Sequence, residues 1–116
     1  MVTRISRDEL RSLIDGHVPF VLLEALPQTY FEDAHLPGAL NLPHDQVDAL
    51  AAALIPSRDS TVVVYCASLP CPNSEIAARR LLALGYTDVR EYAEGKEDWI
   101  GAGLPVERGA ATVSAR

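Results

Sequence analysis

With 116 residues, 48% of them hydrophobic, the chain has the size of one ordinary domain and enough apolar content for a single core. A formal charge of −6 offers no basic face to displace counterions from a phosphate backbone, which argues against nucleic acid as a partner. No run approaches the ~20 apolar residues that span a bilayer, and MVTRISRDELRSLIDG lacks the apolar core of a signal peptide, so a soluble, cytoplasmic protein with no membrane partner is expected.

Ser6 and Glu9 form the pattern of a capping box, with Ile5 and Leu10 as its hydrophobic staple, so a helix should start there. Leu10, Leu13 and Ile14 make its apolar stripe, and Gly16 is the expected left-handed stop. The unbroken apolar run Phe20 to Leu23 predicts a strand covered on both faces. Residues 27 to 35 allow at most a short helix, and Pro37-Gly38 turns the chain into a brief strand over Ala39 to Leu42. Asp45 to Leu54 reads as a helix that stops before Pro56. Thr61 to Tyr65 is β-branched and apolar, the clearest strand signal, and Cys66 follows it at once. A loop, Ala67 to Pro72, enters a helix whose first turn lies at Asn73, Ser74 and Glu75, with Ala77, Leu81 and Leu84 on one face and Gly85 as its cap. Val89 to Tyr92 predicts a last strand and Glu97 to Ala102 a last helical turn or two. Residues 1–107 then form one domain, and 108–116 read as a disordered tail.

Strands alternating with helices imply an α/β fold of three layers, a mostly parallel sheet with helices on both faces. Ligands in such sheets bind beyond the carboxyl ends of the strands. Cys66 occupies that position, and it is expected to be exposed there. The two cysteines, Cys66 and Cys71, lack the four-ligand spacing of a structural zinc site, and His17, His35 and His44 lie far upstream, so no metal is expected. A thiolate is the reactive form of cysteine, and the loop Ala67, Ser68, Leu69, Pro70, Cys71, Pro72, Asn73, Ser74 could lower the thiol's pKa through backbone N–H groups converging at a helix start. From spacing alone two roles stay open for Cys66: a nucleophile, or a small apolar residue ending a core strand. His35 and His44 read as histidines bonded to backbone carbonyls, Glu24 and Asp33 as solvated or turn-bonding carboxylates, and Trp99 as core packing.

The segment VLLEALPQTYFEDAHLPGALNLP, with its run His35-Leu36-Pro37-Gly38-Ala39, resembles the first signature of rhodanese-like domains. VVVYC, a loop, AARRLLALGY, and Tyr92 to Trp99 followed by Gly103-Leu104-Pro105-Val106 resemble the second. The resemblance implies a rhodanese fold and a sulfurtransferase without cofactor: Cys66 would take a sulfane sulfur from a small donor as a persulfide and give it to an acceptor, which could be a thiol-bearing protein. Cys71 is then a candidate resolving thiol, and residues 67–70 and 72–74 the substrate-binding loop. The chain departs from the pattern at Glu24 and Leu26, where the family commonly has Asp and Arg and hence an ion pair. It departs again in the loop, where Cys66 to Asn73 spans eight residues with no arginine. A phosphatase or arsenate-reducing enzyme of related fold would need an arginine six residues after the cysteine to grip its oxyanion; that position is Pro72. A non-catalytic binding module is the alternative of a different class.

Overall fold

A computed structural model describes residues 2–109. Five parallel strands, β1 (Thr3–Arg4), β2 (Val21–Glu24), β3 (Leu40–Asn41), β4 (Thr61–Tyr65) and β5 (Asp88–Tyr92), form one sheet in the order β1-β5-β4-β2-β3. Helices α1 (Arg7–Asp15), α2 (Gln28–Asp33), α3 (Val47–Leu54), α4 (Asn73–Ala83) and α5 (Gly95–Gly101) connect or follow them. The unbroken apolar runs are explained by burial on two sides. Leu23, Val62, Val64 and Val89 pack with Val47 and Ala51 of α3 and Ala77 and Leu81 of α4. Leu22, Val63, Tyr65 and Tyr92 pack with Leu10 of α1, Phe31 of α2 and Trp99 of α5. Each fully buried side chain of this size contributes about 1.5–3 kcal/mol. The central place of β4, paired with β2 and β5, sets Cys66 at the middle of the sheet's carboxyl edge.

The capping box is present: the Glu9 amide donates to Ser6 Oγ and the Ser6 amide to Glu9 Oε1. Ile5 and Leu10 of the staple share the same core cluster. The stop is different from the one expected. Gly16 is right-handed (φ −81°) and His17 takes the left-handed position (φ 54°). The His17 amide bonds Ile14 O and the Val18 amide Leu13 O, the two bonds of a Schellman ending, so the reversal falls one residue later than the glycine. Near β3 the expected strand shortens to Leu40–Asn41, and α3 begins at Val47, because the Gln46 amide closes a turn onto Pro43 O. β1 is a two-residue edge strand too short to carry a periodic signal. Of the expected tail, Arg108 donates to Asp33 O and the Gly109 amide to Glu32 O; residues 110–116 lie outside those described. No helix among the described residues is long and apolar enough to cross a membrane.

Candidate active site

β4 ends at Tyr65, and the next residue, Cys66, is fully buried rather than exposed. The chain after it curls back: the Cys71 amide bonds Ser68 O, which brings the Cys71 carbonyl over the thiol, 3.4 Å from Sγ. Leu69 and Pro70 stand exposed at the crest, while Ala67, Ser68, Cys71 and Asn73 are half-buried and Pro72 is exposed. The helix after the loop starts where the sequence predicts, at Asn73, and its buried Ser74 places Oγ 3.5 Å from Sγ.

The other wall is α5. Its first amides clamp the loop, Lys96 N–H to Cys66 O and Glu97 N–H to Ala67 O, both at 2.8 Å. Gly95 makes that approach: it has φ 72°, and a Cβ there would lie 2.5 Å from the Cys66 carbonyl oxygen, so no side chain fits. Beyond the crest an open cleft of about 320 Å³ is lined by Leu69, Pro70, Glu94, Glu97 and Asp98. Three carboxylates line this mouth, one of which, Asp98, is already paired with Arg7 and accepts from Tyr92 OH. Arg79 and Arg80 do not reach it, since they pair with Glu75 and Asp48. A larger cleft of about 590 Å³ beside α3 and α4 is lined by His44, Asp45, Val47, Ile76, Arg79 and Ala83 among others, and includes none of residues 66–74.

Burial pushes the Cys66 thiol up, and the bond to Cys71 and the Cys71 thiol nearby act the same way; the Ser74 amide works in the opposite direction. The expected lowering by loop and helix dipoles is thus outweighed in this closed arrangement, because the sulfur is out of water. Behind it, Ser74 Oγ donates to Glu91 Oε2 at 2.7 Å. Glu91 is a nearly buried carboxylate on β5, with Arg4 Nε 3.7 Å from its other oxygen. Glu91, between Arg90 and Tyr92 on β5, is the residue of this site that the sequence pattern does not single out.

Glu24 corrects a second expectation. It is fully buried, accepts from Tyr65 OH at 2.7 Å and pairs with Lys96 Nζ at 2.9 Å, because it ends a strand inside the sheet rather than a surface turn. Burial raises its pKa against the pull of Tyr65 and Lys96. Lys96, the only lysine of the chain, thus holds the cysteine loop with its amide and the strand end with its side chain. This pair stands where the resemblance implies an Asp–Arg pair; Leu26 is buried in the core instead. Asp33 gives its carbonyl to Arg108. His35 Nδ1 lies 2.8 Å from Phe31 O and its ring stacks on Phe31, as expected of a carbonyl-bonded histidine. His44 has no such bond, its Nδ1 being buried without a partner. Trp99 packs in the core and donates to Pro105 O.

Comparison with known proteins assigns this architecture. The family model described as the Rhodanese-like domain matches residues 6–102. The chain is 28% identical over 102 residues to the adenylyltransferase and sulfurtransferase UBA4 of Candida albicans, covering 83% of this chain and 23% of that protein. The chain spans about a quarter to a half of the length of the first curated relatives it matches. Among solved structures, a thiosulfate sulfurtransferase from Pseudomonas aeruginosa superposes with a TM-score of 0.83 at 28% identity, over 93% of this chain and 20% of that one. A human single-domain sulfurtransferase superposes at 0.75 with 25% identity, over 87% of this chain and 97% of that one.

Proposed function

Because the chain belongs to the rhodanese-like domain family, we propose that it is a sulfurtransferase carrying sulfane sulfur as a persulfide on Cys66. The observation that carries this reading is the placement of a thiol at the end of the central strand, under a small-residue loop and against the first turn of α4. In the forward step the Cys66 thiolate attacks the outer sulfur of a donor R–S–SH. The Cys66 S–S bond forms, the donor S–S bond breaks, and its electron pair leaves on the donor thiolate, which takes up a proton. An acceptor nucleophile then removes the outer sulfur and Cys66 returns. The sulfur moves already in its zero-valent state, so neither step needs an oxidant or cofactor, only a reduced Cys66 such as a reducing cytoplasm maintains. Loading requires the crest at Leu69 and Pro70 to move aside, since Sγ has no exposure in the closed loop. The test is release of sulfide to dithiothreitol after incubation with a persulfide or polysulfide; no release above the protein-free rate would overturn the proposal.

One observation favours a second reading, a non-catalytic binding module: the thiol is buried and its ionisation is disfavoured. The two readings part on loading. A module leaves Cys66 unmodified after sulfane-sulfur treatment.

The mouth also selects the donor. Thiosulfate is a dianion, and Glu94 and Glu97 line the cleft with no arginine in the loop to pair its sulfonate end, Arg7 being engaged with Asp98. Loading from thiosulfate should therefore be slower than from persulfides or polysulfides, despite the thiosulfate-named relative. Initial rates with the donors at equal concentration check this, and a thiosulfate rate equal to the best donor's would contradict it. The acceptor, on the same reasoning, is a neutral or cationic thiol-bearing molecule, a small one or a protein.

Cys71 is the proposed resolving thiol. Its thiolate would attack Cys66 Sγ in the persulfide, forming the Cys66–Cys71 disulfide while the outer sulfur leaves as hydrosulfide with the bonding pair. The loop supports this by folding Cys71 back onto Cys66. A thiol count with intact mass, on wild type beside Cys71→Ser, should show both thiols lost in the wild type after loading. Two thiols surviving would rule out the resolving role and leave Cys66 as carrier.

A further inference from the structure

Three groups are linked in succession: Cys66 Sγ, Ser74 Oγ at 3.5 Å, and Glu91 Oε2 2.7 Å further on. All three are buried, with Cys66 and Ser74 fully so. Ser74 has one hydroxyl proton. A carboxylate can only accept, so that proton points at Glu91, and toward Cys66 the oxygen it leaves acts only as an acceptor, beside the Cys71 carbonyl at 3.4 Å, for the one thiol proton. An ionised Cys66 would need the same proton turned the other way, which would strip a buried carboxylate of a 2.7 Å bond and set two anions on either side of one hydroxyl.

We propose that Glu91, acting through the single hydroxyl proton of Ser74, is the positioning residue that keeps Cys66 in its protonated form while the loop is closed. Two anions claim one proton, and the carboxylate holds it. Ser74 could favour the thiolate, as its hydroxyl does when it donates, only by releasing Glu91. The titratable groups facing this line are Cys71 from the loop and Arg4 from β1; α4 contributes Ser74 and α5 the backbone of Lys96. Cys71 adds to the bias toward the thiol. Arg4, largely exposed, partly neutralises Glu91 and so weakens its effect on the sulfur.

The consequence for turnover rests on reading Cys66 as the sulfur carrier. A resting thiol held in this way resists stray alkylation and oxidation. It becomes nucleophilic when Ser74 rotates from Glu91 toward Sγ, an exchange of hydrogen-bond partners that needs no reagent.

The test uses no sulfur donor, so its outcome is separate from that of sulfur transfer. In Cys71→Ser protein, where Cys66 is the sole thiol, the rate of iodoacetamide alkylation is followed against pH. In Glu91→Gln, which keeps the shape and removes the charge, the midpoint for Cys66 ionisation should fall by about 1 pH unit or more. In Arg4→Met, an exposed replacement that leaves the core alone, it should rise by a smaller amount. If Ser74 transmits the effect, Glu91→Gln placed on Ser74→Ala should shift the midpoint less than it does alone. A midpoint that stays put or rises in Glu91→Gln would overturn the proposal. Should that variant fail to fold, a midpoint that does not rise in Arg4→Met would overturn it in its place.

Discussion

Replacing Cys66 by serine should lower sulfur transfer by more than about a thousandfold, the scale of loss seen when a covalent nucleophile is removed. The substitution is close to isosteric. A serine hydroxyl at this place can still donate toward the Cys71 carbonyl or Ser74 Oγ, so the loop and α4 keep their anchors. What is lost is the sulfur that forms and breaks S–S bonds, and an alkoxide is far harder to generate than a thiolate. The check is the rate of sulfide release beside a thermal melt. A melting temperature near that of the wild type with no transfer fits the account, and a variant retaining most of its transfer rate removes Cys66 from the chemistry.

Lys96→Met should be the most damaging single change to stability among those considered, about 3–5 kcal/mol, because it leaves Glu24 buried and ionised without its cation. For a domain of this size that is roughly 10–20 °C in melting temperature. Tyr65 OH still donates to one Glu24 oxygen, which limits but does not remove the cost. The amide of residue 96 continues to hold the Cys66 carbonyl whatever its side chain, so activity per folded molecule should change much less than stability. The pH dependence has a definite sign. Glu24 has a raised pKa in the folded protein, so folding takes up a proton there; the folded state is favoured at low pH and loses that advantage as the pH rises through the folded value. Losing Lys96 raises that value further, and the difference between variant and wild type should shrink as acid protonates Glu24. Adding Glu24→Gln to Lys96→Met should recover part of the loss at neutral pH. A Lys96→Met protein as stable as wild type would contradict the role given to this pair.

Much of the scaffold was legible because its signals are local. The capping box at Ser6 and Glu9, the β-branched run Thr61 to Tyr65 and the helix start at Asn73 each depend on neighbours in the chain, and the structure has them where the sequence predicts. The run Val62 to Val64 also carried the tertiary message, since unbroken apolar character requires cover on both faces. What escaped was set by partners distant in sequence. Glu24 looks like a surface carboxylate until Lys96, 72 positions away, and Tyr65, 41 away, are placed beside it. Glu91 acquires a function only when Ser74 is brought across from α4. For Glu24 the available signal was chemical: a carboxylate ending an apolar strand run must find a partner, and the chain has a single lysine to offer. The burial of Cys66 was misjudged for a similar reason. Strand-end position predicts exposure, whereas the Cys71-to-Ser68 turn and the α5 clamp close the loop over it.

The central claim is that sulfur rides on Cys66, and intact-mass measurement of the protein after incubation with a polysulfide tests it most directly. Made on Cys71→Ser protein, where no second thiol can discharge the persulfide, it should show a species heavier by one sulfur atom, removed by dithiothreitol and mapped by peptide analysis to Cys66, with no such species in Cys66→Ser. An unchanged mass, or an added sulfur that persists in Cys66→Ser, would contradict it.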